Sequence, residues 1–171
     1  MAWTTPRTWV DGELVTAAIV NPHIRDNFNA IGAHQRIRKT ATESLTSNTT
    51  LQDDDHLLFA VGANEVWAWQ AVASVTCDAT GGFKFTFTVP AAATGHWNYR
   101  TPAAVGSSGG PAFAATTNHT VTLTSQPHDL SGLVVVGATP GNVTFQWAQQ
   151  ASSGTATQVL IDSFLIAHRI A

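Results

Sequence analysis

The chain has 171 residues, 44% of them hydrophobic and only 11% charged, with a formal net charge of −3. That length suits one domain with a real core and an appended arm, and the sparse, slightly acidic charge excludes the basic footprint of a nucleic-acid binder. The single cysteine, Cys77, excludes an intrachain disulfide scaffold, and no apolar run approaches the ~18 residues a membrane helix needs.

Residues 1–15 place Trp3 and Trp9 around Pro6, ahead of the turn pair Asp11-Gly12. Two indoles in an irregular arm are a large apolar payload that must bury against something. Nothing in Met1-Ala2-Trp3-Thr4-Thr5 resembles a signal peptide, so synthesis in a cytoplasm is expected. Thr16 to Lys39 is the only helical stretch. Thr16 is a candidate N-cap, and Asn21-Pro22 offers a second start. Ile24, Phe28 and Ile31 follow at spacings of four and three, a narrow apolar stripe on one helix face. Residues 1–39 hold Arg7, Arg25, Arg36, Arg38 and Lys39 against Asp11, Glu13 and Asp26, a mildly basic arm on an acidic body. That split suits docking to an acidic protein surface, with ordinary solvated helix charges as the plainer reading.

Residues 40–50 are rich in Thr, Ser and Asn and read as a linker, which puts the arm and helix at 1–39 and a second domain at 51–171. Beyond it the period changes from helix to strand. Leu57 to Val61 and Glu65 to Thr76 read as strands. Phe83, Phe85, Phe87 and Val89 alternate with polar residues, and Pro90 ends the run. Gly95 to Pro111 reads as loop, with Trp97 and Tyr99 in a short strand. Thr116 to Ser125 and Leu130 to Gly137 follow, and Pro140-Gly141 turns into a closing hairpin. About eight strands without intervening helix predict an all-β fold, an antiparallel β-sandwich of jelly-roll type with an N-terminal arm and short amphipathic helix.

The last stretch carries the strongest apolar signal. Val143, Phe145 and Trp147 alternate with Thr144, Gln146 and Ala148. Val159 to Ile170 then reads as one strand, with Leu160, Phe164, Ile166 and Ile170 on one face and Val159, Ile161, Leu165 and Ala167 on the other. A strand apolar on both faces needs two covers. The second set, Val159, Ile161, Leu165 and Ala167, is the candidate subunit interface.

Catalytic and metal motifs are weak, and neither a catalytic nor a metal site nor a cofactor is predicted. Gly106-Ser107-Ser108-Gly109-Gly110-Pro111 matches the G-x-S-x-G elbow, but the elbow needs a strand before it and a helix after it. Asp53-Asp54-Asp55-His56 is the densest acidic run, yet consecutive strand residues point to opposite faces and no D-x-D-x-D-G loop is present, so a charged edge guard is expected. Histidines at 23, 34, 56, 96, 119, 128 and 168 lack metal-ligand spacing. Trp97 and Tyr99 form a candidate ligand loop, a sugar-stacking platform, with core packing as the plainer reading.

Two segments resemble a known group. Thr8-Trp9-Val10-Asp11-Gly12-Glu13-Leu14-Val15-Thr16-Ala17-Ala18, followed by Asn21 and Ile24-Arg25-Asp26-Asn27, is similar to the N-terminal signature of small structural proteins of tailed bacteriophages, especially those of actinobacterial hosts. Phe145-Gln146-Trp147-Ala148-Gln149, Ser152 to Thr157 and Ser163-Phe164-Leu165 resemble the closing hairpin of the same minor tail or particle-surface proteins. Pro22 departs from the helix-compatible residue usual there. The resemblance implies a homotrimeric, non-enzymatic virion protein, assembled in the host bacterial cytoplasm and docked on major capsid or tail proteins. The docking side chains would be Trp3, Trp9, Ile24, Phe28 and Ile31. A capsid decoration protein and a minor tail or fibre protein are both compatible with it. The competing expectation is a receptor module at a fibre tip that binds host surface glycan through Trp97 and Tyr99. Neither nucleic acid nor membrane is an expected partner.

Overall fold

The computed structural model describes residues 4–31, 34–101, 104–108, 113, 116–119 and 123–171, with the side chains of 29–31, 101, 104–108 and 119 outside that description. The chain divides between His34 and Gln35 into two compact units.

In the first unit, helix α1 (Ala17–Val20) runs through a π-helical turn (Asn21–Arg25) into α2 (Asp26–Ile31). Pro22 has no N–H to give, and the turn widens so that Asp26 N–H reaches Asn21 O. Thr16 makes no side-chain cap; its carbonyl instead accepts the N–H groups of Ile19 and Val20. Asn27, on the helix, is buried. Its Oδ1 accepts Thr4 N–H at 2.9 Å, and its Nδ2 donates to Thr4 O at 2.8 Å and His23 O at 3.1 Å, so one amide holds the arm back along the helix.

The helix ends sooner than expected. Residues 34–38 form strand β1 (His34–Arg38), with Gln35 and Ile37 half-buried and His34, Arg36 and Arg38 exposed. Strand β2 (Glu43–Leu45) lies inside the predicted linker. The second unit therefore starts at Gln35 rather than near Leu51.

The following strands are β3 (Gln52–Val61), β4 (Val66–Cys77), β5 (Phe83–Thr88), β6 (Thr94–Thr101), β7 (Ala104–Ser108), β8 (Thr117–His119), β9 (Leu123–Val135) and β10 (Gly141–Ala148). β3 pairs with β10, β4 with β9, β5 with β8, and β6 with β7, all antiparallel. This is one long four-rung hairpin rolled over, with sheet orders β3-β10-β5-β8 and β4-β9-β6-β7, which is the jelly roll. β11 (Thr157–Val159) and β12 (Phe164–Arg169) add to the outer flank of β4, with β1 beyond β12 and β2 beyond β11.

Two strands depart from the residue pattern. β7 lies where composition predicts loop, and it pairs with β6 over Trp97↔Ser108 to Thr101↔Ala104. β9 runs unbroken through Pro127. Pro127 pairs with Ser74 of β4, and among the described residues the β6 ladder on its other side ends at Arg100↔Asp129, so no described ladder partner there needs its missing N–H.

The predicted strand 159–170 is two. Both pieces lie on β4, separated by a break at Leu160–Ser163 where Asp162 has φ +70°. Ser163 repairs the gap: its Oγ accepts Ser74 N–H at 3.0 Å and donates to Leu160 O at 2.7 Å.

The core lies between the sheets and is dominated by aromatic rings. Phe87 meets Trp69 at 4.4 Å, Phe145 at 5.3 Å and Trp97 at 5.5 Å between centroids. Such pairs add about 0.5–1.5 kcal/mol each beyond the area they bury.

Glu65 ties the end of the roll to the C-terminus. Its carboxylate accepts from Gly62 N–H, Trp67 Nε1 and Arg169 Nη1 at 2.6, 2.9 and 2.7 Å. Burial pushes its carboxyl up, but the hydrogen bonds from Arg169, Trp67 and Gly62 and the Arg169 charge outweigh burial and hold it below the usual range. A depressed carboxylate stabilises the fold above its unfolded value and loses that contribution as pH falls through the folded one. Glu65→Gln should therefore cost about 1 kcal/mol at neutral pH, with the difference from the native chain closing below about pH 4. Urea unfolding of both proteins at neutral and at acid pH measures this.

Candidate functional site

Period 2 in β4, β9 and β12 sorts the last strand's side chains. Val159, Leu165 and Ala167 have no exposed surface and belong to this chain's own core. That corrects their assignment to a subunit interface: they point between the two sheets. Of that set only Ile161, in the break before β12, is exposed.

The opposite parity faces outward. Phe164, Ile166 and Ile170 are 36%, 42% and 53% exposed. Register continues this surface inward across the sheet. Phe164 lies opposite Val72, His168 opposite Ala68 and then Leu133, and Val66 opposite Val135. Farther along, the same rows become polar, through Ser131 to Asn98 and through Asp129 to Arg100. The outer face of the larger sheet thus carries Phe164, Ile166, Ile170, Val72 and Val135 toward its β12–β4–β9 side, with exposed Gln70 and His168 among them, and becomes polar toward β6. Exposed large apolar side chains gathered on one face, beside a polar flank, are a usual mark of a protein contact.

The N-terminal unit presents a second apolar surface. Trp9, Val10, Leu14, Val15, Ile24 and Phe28 are all exposed. Ile24 and Phe28 are one helical step apart on the predicted stripe. Arg7 pairs with Glu13 and lies 5.2 Å over the Trp9 ring. Trp3 and the Ile31 side chain lie outside the described residues.

The aromatic ligand loop is not formed as expected. Trp97 is fully buried, 5.9 Å from Phe85 and 6.1 Å from Tyr99, and Tyr99 is half-buried edge-on to Phe85. Sugar stacking needs an exposed ring face, and these rings are spent on the core. Ser107 and Ser108 lie in β7 of an antiparallel sheet, without the parallel-sheet context of a nucleophile elbow, and 109–111 lie outside the described residues.

The acidic run has a structural role that sequence did not show. Between the pairs Thr144↔Leu58 and Gln146↔Asp53, β3 bulges away from β10. Asp53 and Asp55 face solvent, while Asp54 turns inward with no exposed surface. Its Oδ1 accepts the N–H groups of His56 and Leu57 at 3.0 and 2.8 Å, which the bulge has withdrawn from the ladder. Glu43, Asp54 and His56 offer oxygen and nitrogen atoms within 4.8 Å of one another, a metal-like grouping. Lys39 fills it: its fully buried Nζ lies 2.8 Å from Asp54 Oδ2 and 2.5 Å from Glu43 Oε1. Among the described residues, no helix is long and apolar enough to cross a membrane.

No family model and no curated protein matches the chain. Among solved structures, the tripod (BppUct-A-L) from the baseplate of bacteriophage Tuc2009 aligns with 98% of this chain and 76% of its own, at 8% identity and a TM-score of 0.31. A likeness that distant decides neither family nor role.

Proposed function

We infer that the chain is a non-enzymatic bacteriophage virion structural protein that forms a homotrimer on the particle surface and attaches through its N-terminal unit. The observation that supports this reading is the pair of exposed apolar surfaces. One is the outer β12–β4 face, suited to a neighbouring copy of the body. The other is Trp9, Ile24 and Phe28, suited to a major capsid or tail protein. The likeness of both terminal segments to phage virion proteins supplies the setting and the three-fold number. Both roles, capsid decoration and minor tail protein, use the same two surfaces. The partners are virion proteins and other copies of the chain, and the location is the virion.

Attachment and self-association then separate. A chain beginning at Gln35 should keep its oligomeric state and fail to join particles in a co-sedimentation assay. Retention on particles without residues 1–34 would reject the arm as the anchor. A serine-directed fluorophosphonate should leave the protein unlabelled, and labelling at Ser108 would reject the non-enzymatic reading.

A further inference from the structure

We propose that Lys39 and Asp54 join in a spontaneous intramolecular isopeptide bond, with Glu43 as the proton carrier. The geometry supplies each part of the reaction. Lys39 Nζ and Asp54 are fully shielded from water, and Nζ stands 2.8 Å from Oδ2, one bond from the carboxyl carbon it would attack. The Lys39 backbone is fixed at both ends of its peptide unit, N–H to Ser163 O at 2.7 Å and O from Asp162 N–H at 3.0 Å. Asp54 Oδ1 already receives two backbone N–H groups, from His56 and Leu57, which would hold negative charge on that oxygen as the carbon becomes tetrahedral. Glu43 Oε1 touches the nucleophile and is itself held by Asp55 N–H at 2.9 Å.

The balance needs no co-reactant. The ammonium of Lys39 passes one proton to Asp54 Oδ2, giving a neutral amine and a neutral acid, a step that relieves two buried charges. The amine electron pair attacks the carboxyl carbon and the Nζ–C bond forms. Glu43 takes a second proton from the nitrogen and returns it to Oδ2. The C–Oδ2 bond breaks and one water leaves. Glu43 ends as it began, and Oδ1 remains as the amide oxygen on the same two N–H groups. The link would fasten the turn between β1 and β2 to β3 of the other sheet. It would do for this chain what a disulfide cannot, since Cys77 is its single cysteine.

Intact mass spectrometry of the full chain under denaturing conditions tests the bond. The native protein should weigh one water, about 18 Da, less than its sequence. A protease that cuts after Glu43 should release the segments carrying Lys39 and Asp54 still joined. Glu43→Gln should fold, by circular dichroism, and regain the full sequence mass, and Lys39→Arg should also show the full mass. A native chain at full sequence mass after prolonged incubation overturns the proposal. So does a water loss that persists in Lys39→Arg, because that loss would come from another site.

Discussion

Phe164→Glu combined with Ile166→Glu should yield a folded monomer. Both side chains sit on the outward parity of β12, opposite Val72 and Gln70, and neither contributes to the core between the sheets. In a trimer joined through this face, each would bury an apolar side chain contributing about 1.5–3 kcal/mol. The substitution removes that and places unpaired carboxylates in a dry contact. Subunit affinity should fall by about a thousandfold or more, while the unfolding of the isolated chain changes little. Light scattering reads the first effect and a thermal melt the second. Leu165→Glu provides the contrast. It lies between the two, faces inward with no exposed surface, and should prevent folding altogether. Adjacent residues with opposite outcomes would come from the strand's period of two.

Gly95→Ala should destabilise the fold by about 3–5 kcal/mol, enough to endanger a domain whose total is about 5–15 kcal/mol. Gly95 has φ +144°, a conformation L side chains avoid, and an added Cβ would stand 2.0 Å from the carbonyl oxygen of Leu133. That oxygen belongs to β9 in the β6–β9 ladder, and the ring of Phe113 closes the other side at 3.1 Å. Relief would require parting two central strands. Gly154→Ala is the matched control: no atom lies within 4 Å of its added Cβ. Its effect should stay within about 0.5 kcal/mol. Urea titration compares the two directly.

The sequence carried the fold class because β5 and β10 each alternate cleanly in residue type, Phe83-Phe85-Phe87 and Val143-Phe145-Trp147, with every one of these large side chains buried, and such a pattern needs no partner to be seen. β1 escapes the sequence reading because only Gln35 and Ile37 face inward, alternating with exposed His34, Arg36 and Arg38. Five residues with one apolar side chain give little period of either kind. β7 is hidden because Ala-Val-Gly-Ser-Ser has no alternation at all; its strand character comes from β6 beside it. The break before β12 is signalled only by Asp162-Ser163 within an otherwise apolar run. That one interruption separates a strand with two apolar faces from one with a core face and an open face. The Lys39–Glu43–Asp54 grouping has no local signal. Asp54 turns inward at a bulge set by β10, and Lys39 meets it across fifteen positions of chain, so the acidic run reads as a solvated edge. The apolar content of the arm is legible in the sequence, but its exposure is not: Trp9, Ile24 and Phe28 are exposed in the structure.

The most direct test is the solution mass of the purified full-length chain by light scattering, beside the chain that begins at Gln35. A mass three times the 18.1 kDa chain for the full-length protein, with the shorter chain also in threes, is the expected result. A full-length protein that remains a monomer at high concentration would contradict the trimer and leave the outer face of β12 to a different partner.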